Sequence, residues 1–78
     1  MPTVLRVGPY RFYFYSSDGD EPIHVHVLRD LNTSKFWIDP VRLVRSRGFN
    51  PHEIVEIQRI IEDNKETIII KWHEYFRN

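Results

Sequence analysis

Apolar residues repeat with one period in the first half of this chain and with another in the second. Up to Asp39 they alternate with polar residues, the mark of strands with one buried face. Beyond Asn50 they return at helical spacing, at Ile54, Ile57, Ile60 and Ile61. A chain patterned this way folds as a sheet followed by helices, an α+β layout.

The strand segments are Val4–Val7, ended by the turn signal Gly8-Pro9, then Tyr10–Ser16, Ile23–Arg29 and Ser34–Asp39, closed by Pro40. Val41–Val44 is either one more short strand or an irregular connection. Ser16–Pro22 is a polar loop, and Asp30–Thr33 is a turn with Asp and Asn suited to its backbone. The spacing therefore predicts a small antiparallel sheet of three to four strands. Asn50-Pro51-His52-Glu53 then supplies a favoured N-cap, a proline at the first helical position and a capping-box acid. Asp63-Asn64 breaks the pattern, with Asn64 capping a second helix through about Phe76. That helix carries Ile68, Ile69, Trp72, Tyr75 and Phe76 as its apolar stripe. A single bent helix fits the same residues, as does a local strand at the β-branched Ile68-Ile69-Ile70.

Two C-terminal helices packed on so small a sheet can cover only one of its faces. The face with Phe12, Phe14, Val25, Val27, Phe36 and Ile38 is the natural one to bury. Arg11, Tyr13, Tyr15, His24, His26, Lys35 and Trp37 then fall on the other. Which of them are neighbours depends on strand register, which the sequence leaves open.

With 78 residues and no cysteine, the chain has room for one domain, 1–78, around one small core. Neither disulfides nor a cysteine zinc site can staple it, so a partner protein or a homodimer would add stability. Lack of cysteine agrees with a cytoplasmic location. No apolar run approaches the roughly 20 residues of a membrane span, and Met1–Arg6 lacks a signal-peptide pattern. A soluble cytoplasmic protein is expected. Zero formal net charge argues against strong overall attraction to nucleic acid. Between Arg29 and Arg47, however, Arg29, Lys35, Arg42, Arg45 and Arg47 face only Asp30 and Asp39. Such a patch either binds phosphate or is an ordinary solvated face.

The residues with the most chemistry lie in Ile23–Val27, where His24 and His26 share one strand face behind the acidic turn Asp18–Pro22. Imidazole gives and takes protons near neutral pH. As acid and base, His24 and His26 could cleave a phosphodiester bond, one taking the 2′-hydroxyl proton and the other protonating the leaving oxygen. Arg11 or Lys35 would offset the charge building on phosphorus. Tyr13, Tyr15 and Trp37 would stack bases, and the forked side chains of Arg42, Arg45 and Arg47 suit phosphate or the carboxylates of an acidic partner. This makes a metal-independent ribonuclease face that calls for no cofactor. Two other readings fit. One puts the histidines on a protein-interaction face, packed against a partner or a second copy. Alternatively, two imidazoles could share one ion in a metal-dependent hydrolase, with Asp18, Asp20 or Glu21 as third ligand. That ligand set is incomplete, and Asp-Gly followed by Glu-Pro is also ordinary turn chemistry. His52 and His73 fall on the helical segments. Walker A, GxGxxG and GxSxG motifs are absent.

Met1–Tyr15, Glu21-Pro22 before His24-Val25-His26-Val27, Lys35-Phe36-Trp37, Gly48-Phe49 and Trp72-His73-Glu74-Tyr75-Phe76 together resemble the bacterial domain of unknown function family 4160. The resemblance runs over essentially the whole chain. Members resemble toxin components of type II toxin–antitoxin pairs, commonly encoded beside a small protein of another uncharacterised family, domain of unknown function 2442. The resemblance implies a small toxin that a small antitoxin-like protein neutralises; small toxins often act on RNA, which fits the histidine-bearing face. It implies no established catalytic set.

Overall fold

The computed structural model describes residues 3–77. Met1 and Pro2, which open the segment of family resemblance, lie outside the described residues. The strands are β1 (Thr3–Val7), β2 (Tyr10–Tyr13), β3 (His24–Arg29), β4 (Asn32–Ile38) and β5 (Val41–Arg47), followed by α1 (Pro51–Asp63) and α2 (Lys65–Phe76). All neighbours pair antiparallel in the order β1-β2-β3-β4-β5, a meander. The α+β layout is as expected, but the sheet has five strands rather than three to four.

The additional strand is β5, which runs to Arg47 rather than stopping near Val44. It was hard to read because it is an edge. It pairs with β4 alone, and its side chains from Arg42 to Arg47 are exposed. An edge strand needs no apolar alternation, and charges along it guard against pairing with another chain. Its last residue leads into Gly48 at φ 93°, where a Cβ would collide with the Asn32 side chain, so only glycine fits. A further departure concerns β2. It ends at Tyr13, and Ser16–Asp20 forms a short 3-10 turn.

Both helices begin and end at the expected breaks. The Asn50 Oδ1 accepts from the Glu53 amide at 2.8 Å, and Glu53 Oε1 accepts from the Asn50 amide at 3.2 Å. This reciprocal pair is the capping box legible in the sequence. Asn64 acts differently from expectation. Its side chain makes no cap bond to α2 and instead donates to the Ile60 carbonyl at 2.8 Å, closing the end of α1. Ile68-Ile69-Ile70 is helical.

The core forms where predicted. Phe12, Phe14, Val25, Val27, Phe36 and Ile38 are shut off from solvent beneath Ile57 and Ile61 of α1 and Ile68 and Trp72 of α2. Polar ties hold the layers together at their margins: Tyr10 Oη donates to Glu56 at 2.6 Å, and Lys71 Nζ to the Val4 carbonyl at 2.9 Å. Among the described residues, no helix is long and apolar enough to cross a membrane.

Candidate functional site

Antiparallel pairing sets the second face of the sheet in three rows, because directly opposed residues point the same way. Tyr13 pairs with His26, His26 with Lys35, and Lys35 with Arg45. On one side of this row lies Arg11-Leu28-Thr33-Arg47, and on the other His24-Trp37-Arg42. The register slips by one residue between Lys35 and Phe36, whose partners on β5 are Arg45 and Leu43. That bulge at Val44 brings Arg42 onto the same face as Arg45 and Arg47, which strict alternation would forbid. Of the residues given a catalytic or RNA-contact role in the sequence, only Tyr15 lies outside these strands.

The sequence predicts an open second face, but much of it is covered. His24 is 0 % exposed, and Tyr13, His26 and Lys35 are buried. The 3-10 turn accounts for this. It folds Asp18 back over the ends of β2 and β3, and Phe76 of α2 packs behind it against Gly19. Trp72 of α2 reaches the His24 ring at 5.2 Å, and Trp37 meets it edge-on at 5.7 Å.

Asp18 is the hub. Its Oδ2 accepts from the Tyr15 amide at 2.8 Å, lies 3.0 Å from His26 Nε2 and lies 3.2 Å from His24 Nε2. Burial works against the carboxylate, but the Tyr15 amide and the two imidazoles outweigh it, and its pKa falls below the ordinary value. Burial also lowers the pKa of His26, against the pull of Asp18 and with help from His24 and Lys35. The His26 ring is caged by Tyr13, stacked at 5.4 Å, and by Tyr15, edge-on at 4.6 Å.

The ring nitrogens of His24 have distinct roles. Nδ1 lies 2.8 Å from the Pro22 carbonyl oxygen. A carbonyl only accepts, so the proton sits on Nδ1. Nε2 is then left without a hydrogen-bond partner, fully buried and facing Asp18. Ser34 Oγ is the other such orphan among the described residues, but it shares the core face of β4.

Beside the hub opens a pocket of about 210 Å³. Tyr13, His26 and Lys35 form its buried floor, and the exposed Tyr15, Arg45 and Arg47 its rim. No acidic side chain lines it. Pockets that enclose a whole small molecule usually exceed about 300 Å³, so this one suits a single group of a larger ligand. Lys35 Nζ donates to Glu21 Oε1 at 2.6 Å and lies 4.9 Å above the Trp37 ring. Arg11 lies outside the lining, bonded to Thr3 Oγ1 at 2.7 Å with its guanidinium over Tyr13. Trp37 and Arg42 border a separate recess with Pro22 and Pro40. His52 and His73 are exposed on the helices. Sequence reasoning missed Thr33, which lines the pocket by register alone, and weighed Asp18 only as one of three acids.

The profile of the family described as Domain of unknown function (DUF4160) matches residues 10–73, which include every residue of the pocket and the hub. No curated protein and no solved structure matches the chain.

Proposed function

From the premise that the chain belongs to the DUF4160 family, we propose that it is a toxin-type protein that binds RNA at the pocket and cleaves it there, held in check by a small antitoxin-like partner. One observation carries this reading: a concave site on the sheet gathers Lys35, Arg45 and Arg47 around buried aromatic rings, with no acid in its lining. Arg45 and Arg47 at the rim would draw a phosphate, Lys35 would join them in competition with its bond to Glu21, and the Tyr15 ring would stack a base. The polyanion would be gripped locally, which a protein of zero net charge requires.

Cleavage is assigned to the pocket wall made by His26, with Asp18 behind it. His24 takes a positioning role, because it is sealed from solvent and acts on the pocket only through Asp18 and His26. Lys35 and the arginines at the rim offset charge on the phosphate.

Growth after induced expression tests the reading, with the wild type beside His26→Ala and Arg45→Ala/Arg47→Ala at matched soluble levels. Arrest by the wild type alone, with cleavage of RNA by the purified protein, is the expected result. A wild type that neither arrests growth nor cleaves RNA at any enzyme concentration overturns it. That outcome would favour a non-enzymatic module whose pocket receives a carboxylate of a partner protein.

A further inference from the structure

We propose that Asp18, His24 and His26 together bind one divalent transition-metal ion of the zinc class. The inference stands on the geometry of the hub and does not depend on the RNA reading.

The donor atoms are already gathered. One carboxylate oxygen and one ring nitrogen from each histidine all lie within 4.8 Å of one another. Asp18 Oδ2 is 3.2 Å from His24 Nε2 and 3.0 Å from His26 Nε2. A tetrahedral ion with bonds of ~2.0–2.1 Å holds its ligand atoms about 3.3 Å apart. Both Asp18–imidazole spacings are within a few tenths of an ångström of that value, and the two imidazole nitrogens, no more than 4.8 Å apart, would draw together on an ion.

The orientation of His24 points the same way. Its Nδ1 is committed to the Pro22 carbonyl, and its Nε2, fully buried and 3.2 Å from Asp18 Oδ2, has no hydrogen-bond partner. A buried ring nitrogen aimed at a carboxylate oxygen without a hydrogen bond is costly, and a cation held between the two would satisfy both. The Nδ1–H donated to a backbone carbonyl is the outer contact that orients a metal-bound imidazole and fixes its tautomer. The Tyr15 amide orients the carboxylate in the same manner.

The donor set selects the ion. Two imidazoles with one carboxylate suit zinc, iron(II) or manganese better than magnesium or calcium, which prefer oxygen alone. Three protein ligands leave at least one coordination position for water or substrate, the pattern of catalytic rather than structural zinc. His26 belongs to both the hub and the pocket floor, so that position lies next to the place where an anion would sit.

The test uses the full chain, stripped with chelator and titrated with Zn²⁺ by calorimetry and native mass spectrometry, and with Co²⁺ by its visible absorption. The expected result is one ion per chain, a d–d spectrum of tetrahedral intensity, and a shift of the His24 and His26 ring nitrogens on zinc binding. Asp18→Asn and His24→Gln should each weaken binding by more than about 100-fold, beyond the range seen when only an outer contact is lost. His52→Ala/His73→Ala should leave it unchanged. The ring-nitrogen shifts are read in the wild type, so the test does not depend on the folding of the hub variants. Binding of no ion, or binding that moves the resonances of His52 and His73 instead, overturns the proposal whether or not the protein acts on RNA.

Discussion

A Cβ on Gly19 would stand 2.9 Å from Cδ1 of Phe76. The last turn of α2 therefore packs straight onto the backbone of the turn that delivers Asp18, and the helix layer sets the depth of a carboxylate on the opposite face of the sheet. Gly19→Ala should force the turn and Phe76 apart. We expect a loss of about 1–3 kcal/mol, the usual cost of overpacking, with a weakened Asp18–His26 contact. Denaturant unfolding gives the first, and the imidazole nitrogen shifts of His26 give the second. An alanine variant with wild-type stability and unchanged shifts would show that the contact between α2 and the turn does not position Asp18.

Glu21 holds the Lys35 ammonium at 2.6 Å, and that bond is the largest influence lowering its own pKa. At neutral pH the carboxylate thus competes with any anion for the one buried cation of the pocket floor. Glu21→Gln keeps the shape and removes the charge, so affinity for a short single-stranded RNA should rise several-fold in low salt. The gain should shrink as salt screens the remaining cations. Fluorescence anisotropy at two salt concentrations decides it, and equal or weaker binding by the variant would remove Lys35 from the phosphate site.

The arginines of β5 should not be equivalent. Arg45 and Arg47 rim the pocket, whereas Arg42 borders the recess beside Trp37. Arg45→Ala and Arg47→Ala should each weaken RNA binding across sequences and lower the salt slope by about one, as loss of a phosphate contact does. Arg42→Ala should leave the slope close to that of the wild type. A ranking in which Arg42 matters most would move the anion site to the second recess.

Legibility in the sequence followed the range of the interactions. The start of α1 could be read from Asn50-Pro51-His52-Glu53, because capping involves only residues three apart. The core face could be read from alternation in β2, β3 and β4, whose apolar sides are fully buried. The full length of β5 could not, because its residues are exposed and its one bulge breaks the period. Nor could the burial of His24, since it needs Asp18, Trp37 and Trp72 to converge from the turn, β4 and α2. Among the acidic residues of the loop, sequence spacing could not select Asp18. Selection comes from the 3-10 turn, in which its carboxylate caps the Tyr15 amide while pointing at the histidines.

Tyr13 offers a view of the pocket floor that needs no ligand. Burial, reinforced by its contact with the Tyr15 hydroxyl at 3.4 Å, raises its pKa from 10.0 to about 12. In the unfolded chain the phenol ionises near pH 10, so the folded state is favoured by its neutral form. That contribution is fully present below pH 10 and is lost as the pH climbs from about 10 to about 12. Absorbance titration near 295 nm should therefore show Tyr13 ionising late, alongside Tyr10, whose pKa burial and the bond to Glu56 also raise, together with alkaline unfolding. Tyr13→Phe should reduce the late-ionising absorbance by one phenol and flatten the fall in stability across the same interval. If all tyrosines instead titrate together near pH 10 while the fold persists, the floor of the pocket is open to water and His26 is not caged as the structure has it.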